Sequence, residues 1–448
     1  MAALDRAAQR RAVVLELFRA ALRAAEPRAA IRRHLRRDGQ RLTADGREYD
    51  LASFNRVLIA GAGKAGAAMA QELEDIVGDR LTAGVVIVKE GYIAPTRRVK
   101  IVEASHPVPS QAGVTATSSL LDLVSTAGPD DLILCPISGG GSALLVAPAP
   151  PLTLEEKQAL TDLLLRAGCT INEINAVRKH CSAVKGGQLA RAANGATILT
   201  LLLSDVVGNP LDVIASGPTV PDPTTYADAL AVLDRYRLRQ QAPRRVISRL
   251  EAGVRSELPE TPKPGDSCFA HSQAIVVAGI GQSCTAAAVE ARQRGYLPQV
   301  LTSYLQGEAR EVARVLVAVG RSVLADGQPI SPPACLIAGG ETTVTVRGDG
   351  KGGRDQELAL AAALALDGLE QLTVGALATD GGDGPTDAAG AIVDFTTPEA
   401  IARTGRSAEA GLQRNDAYSV LDAAGALVRT GPTGTNVNDL IVVIVDKV

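Results

Sequence analysis

Short apolar runs alternate with amphipathic segments through the first half of this 448-residue chain. The runs have the length of single strands, and apolar residues in the intervening segments recur at helical spacing. This alternation predicts an α/β domain with a mostly parallel sheet that is covered by helices on both faces. The predicted strands cover residues 56–60, 83–89, 99–104, 131–136 and 196–203, and the predicted helices cover residues 65–77, 114–125 and 154–166.

The N-terminal segment, residues 5–37, is rich in Ala, Leu and Arg, with apolar residues at helical spacing. Arg-rich amphipathic starts also occur in transit peptides, but this one contains Asp5, Glu16 and Glu26. We therefore interpret the segment as an ordinary packed helix. Since no secretory or membrane-spanning run is evident, we expect a cytoplasmic protein.

The pattern changes near residue 240, where a proline-rich stretch without clean periodicity predicts a domain junction. Strands and helices alternate again beyond it, which indicates a second α/β domain with a mixed sheet. We expect domains at residues 1–240 and 271–448, joined by residues 241–270. In the second half the predicted strands cover residues 274–278, 334–338, 342–347, 372–378, 390–394 and 439–445, and the predicted helices cover residues 284–294 and 308–324.

Composition excludes several classes of function. A net charge of −3, 2% aromatic residues and no Trp give no reason to expect a nucleic acid or membrane partner. The six cysteines include no C-x-x-C pair, which argues against a zinc site or a disulfide framework. The P-loop, α/β-hydrolase, metalloprotease and protein-kinase motifs are also absent.

A glycine triplet, Gly139, Gly140 and Gly141, lies between Ser138 and Ser142 after an apolar run. Glycines allow the backbone to turn tightly and to present several N–H groups to one ligand. The hydroxyl groups and a following helix would add donors at the same place. This arrangement predicts an anion-binding loop, although a plain tight turn is the alternative.

A second glycine motif, Gly61-x-Gly63-x-x-Gly66, follows a predicted strand and precedes a predicted helix, and Glu90 lies near the position of a ribose-binding acid. Taken alone, this pattern predicts a dinucleotide site. However, Lys64 lies inside the motif, where a cation is better suited to a phosphoryl group or a small carboxylate.

Further basic residues lie beside glycines. Arg178, Ser182 and Lys185 would share one face of a helix and could contact phosphates, with a solvated basic face as an equal alternative. Arg354 follows a glycine pair at a predicted helix start, where it could stabilise charge on a transferring phosphoryl group. A packing or salt-bridging arginine is the alternative.

Acidic and hydroxyl-bearing loops supply the remaining candidates. Ser204 and Asp205 follow a strand, where Asp205 could hold Mg²⁺ or take a proton from a hydroxyl group, or simply cap a turn. Asp380 and Asp383 lie in a Gly-rich loop that suggests Mg²⁺ but does not match an EF-hand. Two more such loops contain Gly340, Glu341 and Thr342, and Thr435 and Asn436.

In this order the segments resemble the two-domain glycerate 2-kinases whose second half is called the MOFRL domain. The resemblance covers nearly the whole chain. Each motif alone is weak, but together and in register they are specific. They occupy residues 61–64, 105–109, 137–142, 204–208, 214–219, 339–342, 352–354, 378–381 and 434–439.

The resemblance implies two α/β domains. The first is a Rossmann-like three-layer domain with a parallel sheet, the second (MOFRL) has a mixed sheet, and the active-site cleft lies between them. It also implies ATP-dependent phosphorylation of D-glycerate at the 2-hydroxyl, giving 2-phosphoglycerate and ADP. The family's lysine and arginine that match Lys64 and Arg354 are implicated in catalysis.

Other interpretations remain open. Some relatives are labelled hydroxypyruvate reductases, so an NAD(P)H-dependent reductase is the alternative, and a nucleotide or metabolite sensor without turnover is a third. The residues do not indicate the preferred hydroxy acid, the phosphorylated hydroxyl or the metal-binding aspartate, and they leave a homo-oligomer open.

We assign catalytic roles to Lys64, Arg354 and Asp205, with ATP and Mg²⁺ as cofactors. Candidate metal ligands are Asp205, Asp380 and Asp383. The residues expected to bind substrate or phosphate are Gly63, Ser138, Gly139, Gly140, Gly141, Ser142, Arg178, Lys185, Ser204, Gly340, Glu341, Thr342, Thr435 and Asn436.

Overall fold

A computed structural model describes residues 2–447 and divides them into two compact units. The N-terminal unit consists of Pro27–Ser204 and Asn209–Val277. The C-terminal unit consists of residues 2–26, Asp205–Gly208 and residues 278–447. No helix within residues 2–447 is both long enough and apolar enough to cross a membrane.

The helices and strands alternate along the chain much as the hydrophobic pattern predicts. The helices are α1 (Ala2–Ala24), α2 (Pro27–His34), α3 (Gly66–Val77), α4 (Gln111–Ser125), α5 (Gly141–Leu144), α6 (Leu154–Arg166), α7 (Ile171–His180), α8 (Gln188–Ala192), α9 (Tyr226–Arg235), α10 (Arg244–Val254), α11 (Ile280–Gln293), α12 (Ala309–Asp326), α13 (Arg354–Ala365), α14 (Thr397–Arg403), α15 (Ala408–Gln413) and α16 (Ala417–Ala423). The strands are β1 (Leu35–Asp38), β2 (Arg41–Ala44), β3 (Arg47–Asp50), β4 (Arg56–Ala62), β5 (Leu81–Lys89), β6 (Val99–Ala104), β7 (Asp131–Ser138), β8 (Thr197–Leu203), β9 (Ser272–Ala278), β10 (Leu297–Leu305), β11 (Ala334–Gly340), β12 (Leu372–Ala378), β13 (Gly390–Asp394), β14 (Leu427–Val428) and β15 (Asp439–Val445).

The large sheet of the N-terminal unit has the strand order β6-β5-β4-β7-β8-β9. Strands β4 to β8 pair in parallel. If β4 is counted as the first strand, this is the order of dinucleotide-binding folds, and it reverses direction between β4 and β7. Ligands in such sheets bind beyond the carboxyl ends of the strands at this switch point, which is where the two glycine motifs lie.

The N-terminal segment differs from its prediction as a single helix over residues 5–37. Helix α1 ends at Ala24, Pro27 begins α2, and strands β1–β3 form a small antiparallel sheet. The buried Val14, Leu17 and Phe18 of α1 pack in the core of the C-terminal unit. Residues 2–26 therefore group with that unit and not with residues 27–240.

The boundary between the units also differs from the predicted junction at residues 241–270. That stretch contains α10, whose buried Val246 and Leu250 pack with Tyr226 of α9 in the N-terminal unit. Strand β9 then completes the edge of the first sheet, so the division falls after Val277. Prolines that cap and flank a helix gave this stretch the composition of a linker.

The C-terminal unit contains the mixed sheet that the sequence predicts, in the order β10-β11-β15-β12-β13-β14. Only β10 and β11 pair in parallel among the described strands of this sheet. Along β15, Leu440 and Val442 face a core shared with α1 and α11, while Ile441 and Val443 face a core shared with α12 and α13. This period-two alternation makes the unit a three-layer sandwich. The strand predicted at residues 342–347 is wrong, because that segment is irregular.

Candidate active site

The predicted anion-binding loop follows β7 and leads into the short helix α5. Gly140 has a φ of 81°, a left-handed conformation that favours glycine. A Cβ atom at this position would lie 3.0 Å from Cδ2 of His106 and 3.3 Å from Cγ of Lys64. The glycine is therefore needed for close packing, and the loop lies directly against Lys64 and His106.

The backbone of the Gly61-x-Gly63-x-x-Gly66 motif is occupied by protein acceptors. Lys64 N donates to Gly139 O at 2.9 Å, and Ala65 N donates to Ser138 Oγ at 3.0 Å. Gly63 N and Gly66 N also donate to main-chain oxygens at 3.0 Å. All four N–H groups from Gly63 to Gly66 thus donate within the protein, those of Lys64 and Ala65 joining the two glycine loops, and they are not free to cradle a pyrophosphate.

The side chains around these loops carry positive charge. Lys64 and Lys89 have no carboxylate within 4.0 Å of Nζ in residues 2–447. Burial, and then the charges of Lys64 and Lys89, lower the pKa of His106 to about 4. His106 is therefore neutral at pH 7, and the uncompensated positive potential of the two lysines would attract an anion.

Arg178 and Lys185 do not share a helix face as predicted, because α7 ends at His180. They nevertheless converge on the glycine loop. Arg178 Nη2 donates to Ser142 Oγ at 2.6 Å, and Lys185 Nζ donates to Ser142 O at 2.7 Å and to Leu145 O at 3.2 Å. Ser142 Oγ also hydrogen-bonds Ser216 Oγ at 2.8 Å. Two basic side chains from different segments thus fix the end of the loop.

These two basic side chains have no counter-ion. Lys185 is 1% exposed, and neither side chain has a carboxylate within 4.0 Å in the described part of the chain. Burial lowers the pKa of Arg178 to about 10, and burial followed by the charges of Arg178 and Lys157 lowers the pKa of Lys185 well below its usual value. Because unpaired buried charge is unfavourable, this arrangement suits a site that receives an anion.

In the C-terminal unit, Arg354 is the first residue of α13. Its Nε contacts Asp439 Oδ2 at 2.5 Å, its Nη2 contacts Asp439 Oδ1 at 2.9 Å, and its Nη1 contacts Glu341 Oε1 at 3.1 Å. Burial lowers the pKa of Arg354, but the hydrogen bond and charge of Asp439 and the charge of Glu341 raise it above its usual value. The guanidinium is therefore charged, held in one plane and partly exposed.

Beside Arg354 lies a carboxyl group that is not among the predicted site residues. Asp355 is 0% exposed, and neither of its oxygens has a hydrogen-bond partner in the geometry of residues 2–447. Burial, then the charges of Asp439 and Asp383, raise its pKa well above the usual value. Burial and the neighbouring carboxylates therefore favour the protonated form of Asp355, next to the Arg354–Asp439 pair.

The two aspartates of the Gly-rich loop are placed differently. Asp383 is 2% exposed and caps α13, since its Oδ2 accepts from Gln356 N at 2.8 Å. Burial raises the pKa of Asp383 to about 7 against the effect of this cap. Asp380 is half-buried, and its Oδ1 accepts from Gly382 N at 3.1 Å. No group of three or more His, Cys, Asp or Glu residues within residues 2–447 is arranged to hold a metal.

The remaining candidates are placed as follows. Ser204 is buried at the end of β8, Asp205 is half-buried, and both take part in interactions. Thr342 is 4% exposed, and its hydroxyl has no partner in residues 2–447. Thr435 donates its hydroxyl to Ala25 O at 2.7 Å, and Asn436 Oδ1 accepts from Asn438 N at 3.2 Å. The hydroxyl of Thr435 thus holds the end of α1.

Two family models match the chain. A domain of unknown function, DUF4147, matches residues 13–251, and the MOFRL family matches residues 334–439. A glycerate 2-kinase of Pyrococcus horikoshii is 40% identical over 97% of each chain, and a D-glycerate 2-kinase of Thermotoga maritima is 42% identical over 87% of this chain and 91% of the other. The chain belongs to the glycerate kinase family that carries a MOFRL domain.

Other relatives fit this assignment with one difference in name. The crystal structure of a glycerate kinase (EC 2.7.1.31) from Thermotoga maritima is 38% identical and matches with a TM-score of 0.86 over 97% of this chain and 98% of that chain. An Agrobacterium vitis relative, 40% identical over 97% of this chain and 94% of its own, is provisionally named a hydroxypyruvate reductase. The family resemblance and the two-domain α/β fold are thus confirmed, whereas the individual site roles stay predictions.

Within this glycerate kinase fold, four polar residues beside the candidates were not predicted as site residues: Lys89, His106, Asp355 and Asp439. Lys89 and His106 lie just at or beyond the ends of β5 and β6, where a search of strand ends could have found them. Asp439 ends a motif that carries the resemblance. Asp355 has no local signal, because an acid in the first turn of a helix usually faces solvent.

Proposed function

We propose that the protein transfers the γ-phosphoryl group of ATP to the 2-hydroxyl of D-glycerate, giving 2-phosphoglycerate and ADP. The observation that carries this proposal is the set of basic residues around Gly140 without carboxylate partners: Lys64, Lys89, Arg178 and Lys185. Both substrates are anions, and the names of the relatives supply their identity.

In this proposal Lys64 and the loop from Ser138 to Ser142 bind the carboxylate or the phosphates. Arg178 and Lys185 fix that loop, and neutral His106 can exchange hydrogen bonds with the bound acid without adding charge. Arg354 neutralises charge that develops on the transferred group, and Asp205 orients the hydroxyl. Phosphoryl transfer requires mainly positioning and charge stabilisation, which side chains of this kind supply.

Mg²⁺ would be held by carboxylates together with the phosphates of the nucleotide. Mg²⁺ sites of this kind commonly use only one or two protein carboxylates and retain water. Asp380 has an accessible carboxylate that fits this role, and Asp205 stays proposed, whereas the cap formed by Asp383 occupies one of its oxygens. When bound, the ion would neutralise phosphate charge.

The reductase alternative is less well supported. A dinucleotide pyrophosphate is normally held by free N–H groups at the glycine motif and the helix start that follows it. Here the N–H groups from Gly63 to Gly66 donate within the protein, and a lysine, Lys64, lies inside the motif. This observation favours phosphoryl transfer over hydride transfer.

A coupled assay of ADP formation tests the proposal with D-glycerate, ATP and MgCl₂, run beside an NADH assay with hydroxypyruvate. We expect ADP only when D-glycerate is present and no NADH oxidation. The ³¹P signal of the product should couple to the single methine proton at carbon 2. Coupling to a methylene group would contradict phosphorylation at the 2-hydroxyl, and NADH oxidation without ADP would establish the reductase.

Variants test the two proposed catalytic residues. Lys64→Ala and Arg354→Ala should each lower kcat/KM by about 100-fold or more, the scale seen when a charge-stabilising donor is removed. Lys100→Ala and Arg314→Ala, at exposed sites in the same units, should retain activity. Near-normal rates in both active-site variants would overturn the role assignments.

A further inference from the structure

A cavity of about 350 Å³ opens in the C-terminal unit beside the first turn of α13. Its walls are largely apolar or glycine, with Val344, Val346, Pro385 and Ala417 among them, and Arg354 lies on its lining. The volume is within the range of small-molecule sites, about 300–1,000 Å³, and far exceeds what a three-carbon acid fills. The cavity therefore suits a larger ligand with an apolar part and an anionic end.

The acidic and amide groups of the lining are already satisfied. Glu357 Oε1 accepts from Arg310 Nη2 at 2.6 Å, and its Oε2 accepts from Asn415 Nδ2 at 3.0 Å. The carboxylate of Asp383 caps the helix. These side chains thus form a fixed wall with little free negative charge, which lowers the repulsion that an anionic ligand would meet.

In contrast to these side chains, two backbone N–H groups at the edge of the cavity have no hydrogen-bond partner in residues 2–447. The backbone N–H groups of Gly352 and Gly353 donate to no other group in residues 2–447, and both glycines line the cavity. They precede Arg354 at the start of a 12-residue helix, whose N-terminal end favours negative charge. An anionic group extending from the cavity would meet these N–H groups and the guanidinium together.

The loop that forms one side of the cavity is held in place. Arg347 N and Gly348 N donate to Asn415 Oδ1 at 2.8 and 3.0 Å, and Gly350 N donates to Arg414 O at 2.9 Å. A Cβ atom at Gly348 would lie 2.2 Å from Arg414 O, so only glycine permits this approach. Contacts within the protein therefore fix this side of the cavity, which reduces the ordering that binding requires.

We propose that this cavity binds the adenosine part of the phosphoryl donor, with its phosphates directed to Gly352, Gly353 and Arg354. The proposal rests on the proposed function, because it names the place of the nucleotide in that reaction. The apolar walls would contact the base, and the backbone donors with the guanidinium would contact the phosphates. D-glycerate would bind elsewhere.

The chain contains no Trp, so a single introduced Trp can report on the cavity. Val346 is 73% exposed at the rim, and Val315 on α12 is 62% exposed and does not line the cavity. In Val346→Trp we expect ADP to change the Trp emission, and we expect the KM for ATP to rise about tenfold with the KM for D-glycerate nearly unchanged. Val315→Trp should show neither effect.

Inorganic tripolyphosphate distinguishes contacts to the phosphates from contacts to the base, because it has phosphates but no base. Its affinity for Val346→Trp and for Val315→Trp should therefore be equal. An unchanged KM for ATP and no response to ADP in Val346→Trp, beside an active wild-type enzyme, would overturn this inference and leave the proposed function standing. A response to D-glycerate in place of ADP would also overturn it. Failure of the proposed function would appear instead as an inactive wild type, whatever the Trp signal does.

Discussion

Arg354 and Asp439 form a bidentate ion pair, with two N···O distances of 2.5 and 2.9 Å. Arg354 begins α13 and Asp439 begins β15, so the pair joins two elements that are distant in sequence. Asp439 is 1% exposed, whereas about a third of the Arg354 side chain reaches solvent. A buried carboxylate thus fixes the plane of a partly exposed guanidinium, a geometry that lysine cannot reproduce.

If this pair positions Arg354 for catalysis, Asp439→Asn should lower kcat about 10- to 100-fold and change the KM for D-glycerate little. Arg354→Lys should be nearly as impaired as Arg354→Ala, because the charge remains but the two parallel bonds do not. Steady-state kinetics measure both effects, with circular dichroism to confirm folding.

Asp387→Asn provides the matched control. Asp387 is an exposed acid in the same unit that pairs with Arg429 at 3.1 Å. Its variant should keep wild-type kinetics. A fully active Asp439→Asn enzyme with intact structure would show that the ion pair does not position Arg354.

Asp355 should make the stability of the protein depend on pH. Its pKa is raised well above the usual value in the folded state, so the folded protein binds one more proton than the unfolded chain above about pH 4. The free energy of unfolding therefore falls as pH rises to the folded-state pKa, with a slope that approaches about 1.4 kcal/mol per pH unit. Asp355→Asn should weaken this dependence without abolishing it, because burial also raises the pKa of Asp383, to about 7, and that of Asp439, to about 6.

Chemical unfolding of the wild type and Asp355→Asn at pH 5.5 and 8 measures the difference directly. The variant should gain stability relative to the wild type at the higher pH. Parallel pH profiles for the two proteins would mean that Asp355 is ionised in the folded state, contrary to its lack of partners.

The pKa of His106 should report on anion binding near Gly140. Burial and two lysines lower it to about 4 in the free protein, and an anion bound beside Lys64 would offset their charge. We expect saturating D-glycerate to raise the pKa of His106. The chain has four histidines, so NMR titration of the imidazole signals is practical, and His106→Asn would assign the resonance. An unchanged pKa at saturation would place the bound acid away from this loop.

The sequence was most informative where a structure depends on local pattern. Strands β4 to β8 and helix α3 follow from apolar runs and helical spacing, and the family motifs then fixed the order of the loops. Strands β1–β3 were not predicted because they are short and largely polar, with Leu42 and Tyr49 among their few buried side chains. Pairing with neighbouring strands stabilises them as strands, although their composition does not favour this conformation.

Contacts between distant segments could not be predicted. Arg178 and Lys185 were grouped by an assumed helix, yet they meet at Ser142 because a turn after α7 brings them there. The packing of α1 in the C-terminal unit also has no local signal, since an amphipathic stripe shows that a helix packs but not against what. The missing partner of Asp355 is likewise a property of the folded chain alone.

Lys185 should act by holding the glycine loop rather than by contacting substrate. Its ammonium group donates to two main-chain oxygens, Ser142 O and Leu145 O, and is almost fully buried. Lys185→Met keeps the length of the side chain but leaves both carbonyls without this donor, at about 1–3 kcal/mol for each unsatisfied group. Removing a buried basic group that has no carboxylate partner offsets part of that loss, so the global stability should change less than the local stability of the loop. Hydrogen exchange followed by mass spectrometry should therefore show faster exchange in peptides that cover residues 139–146. Steady-state kinetics should show a lower kcat.

Lys100→Met, at an exposed site on β6, should alter neither the exchange nor kcat. Unchanged exchange in the loop of Lys185→Met, accompanied by a higher KM for D-glycerate or ATP, would instead identify Lys185 as a direct ligand of the anion.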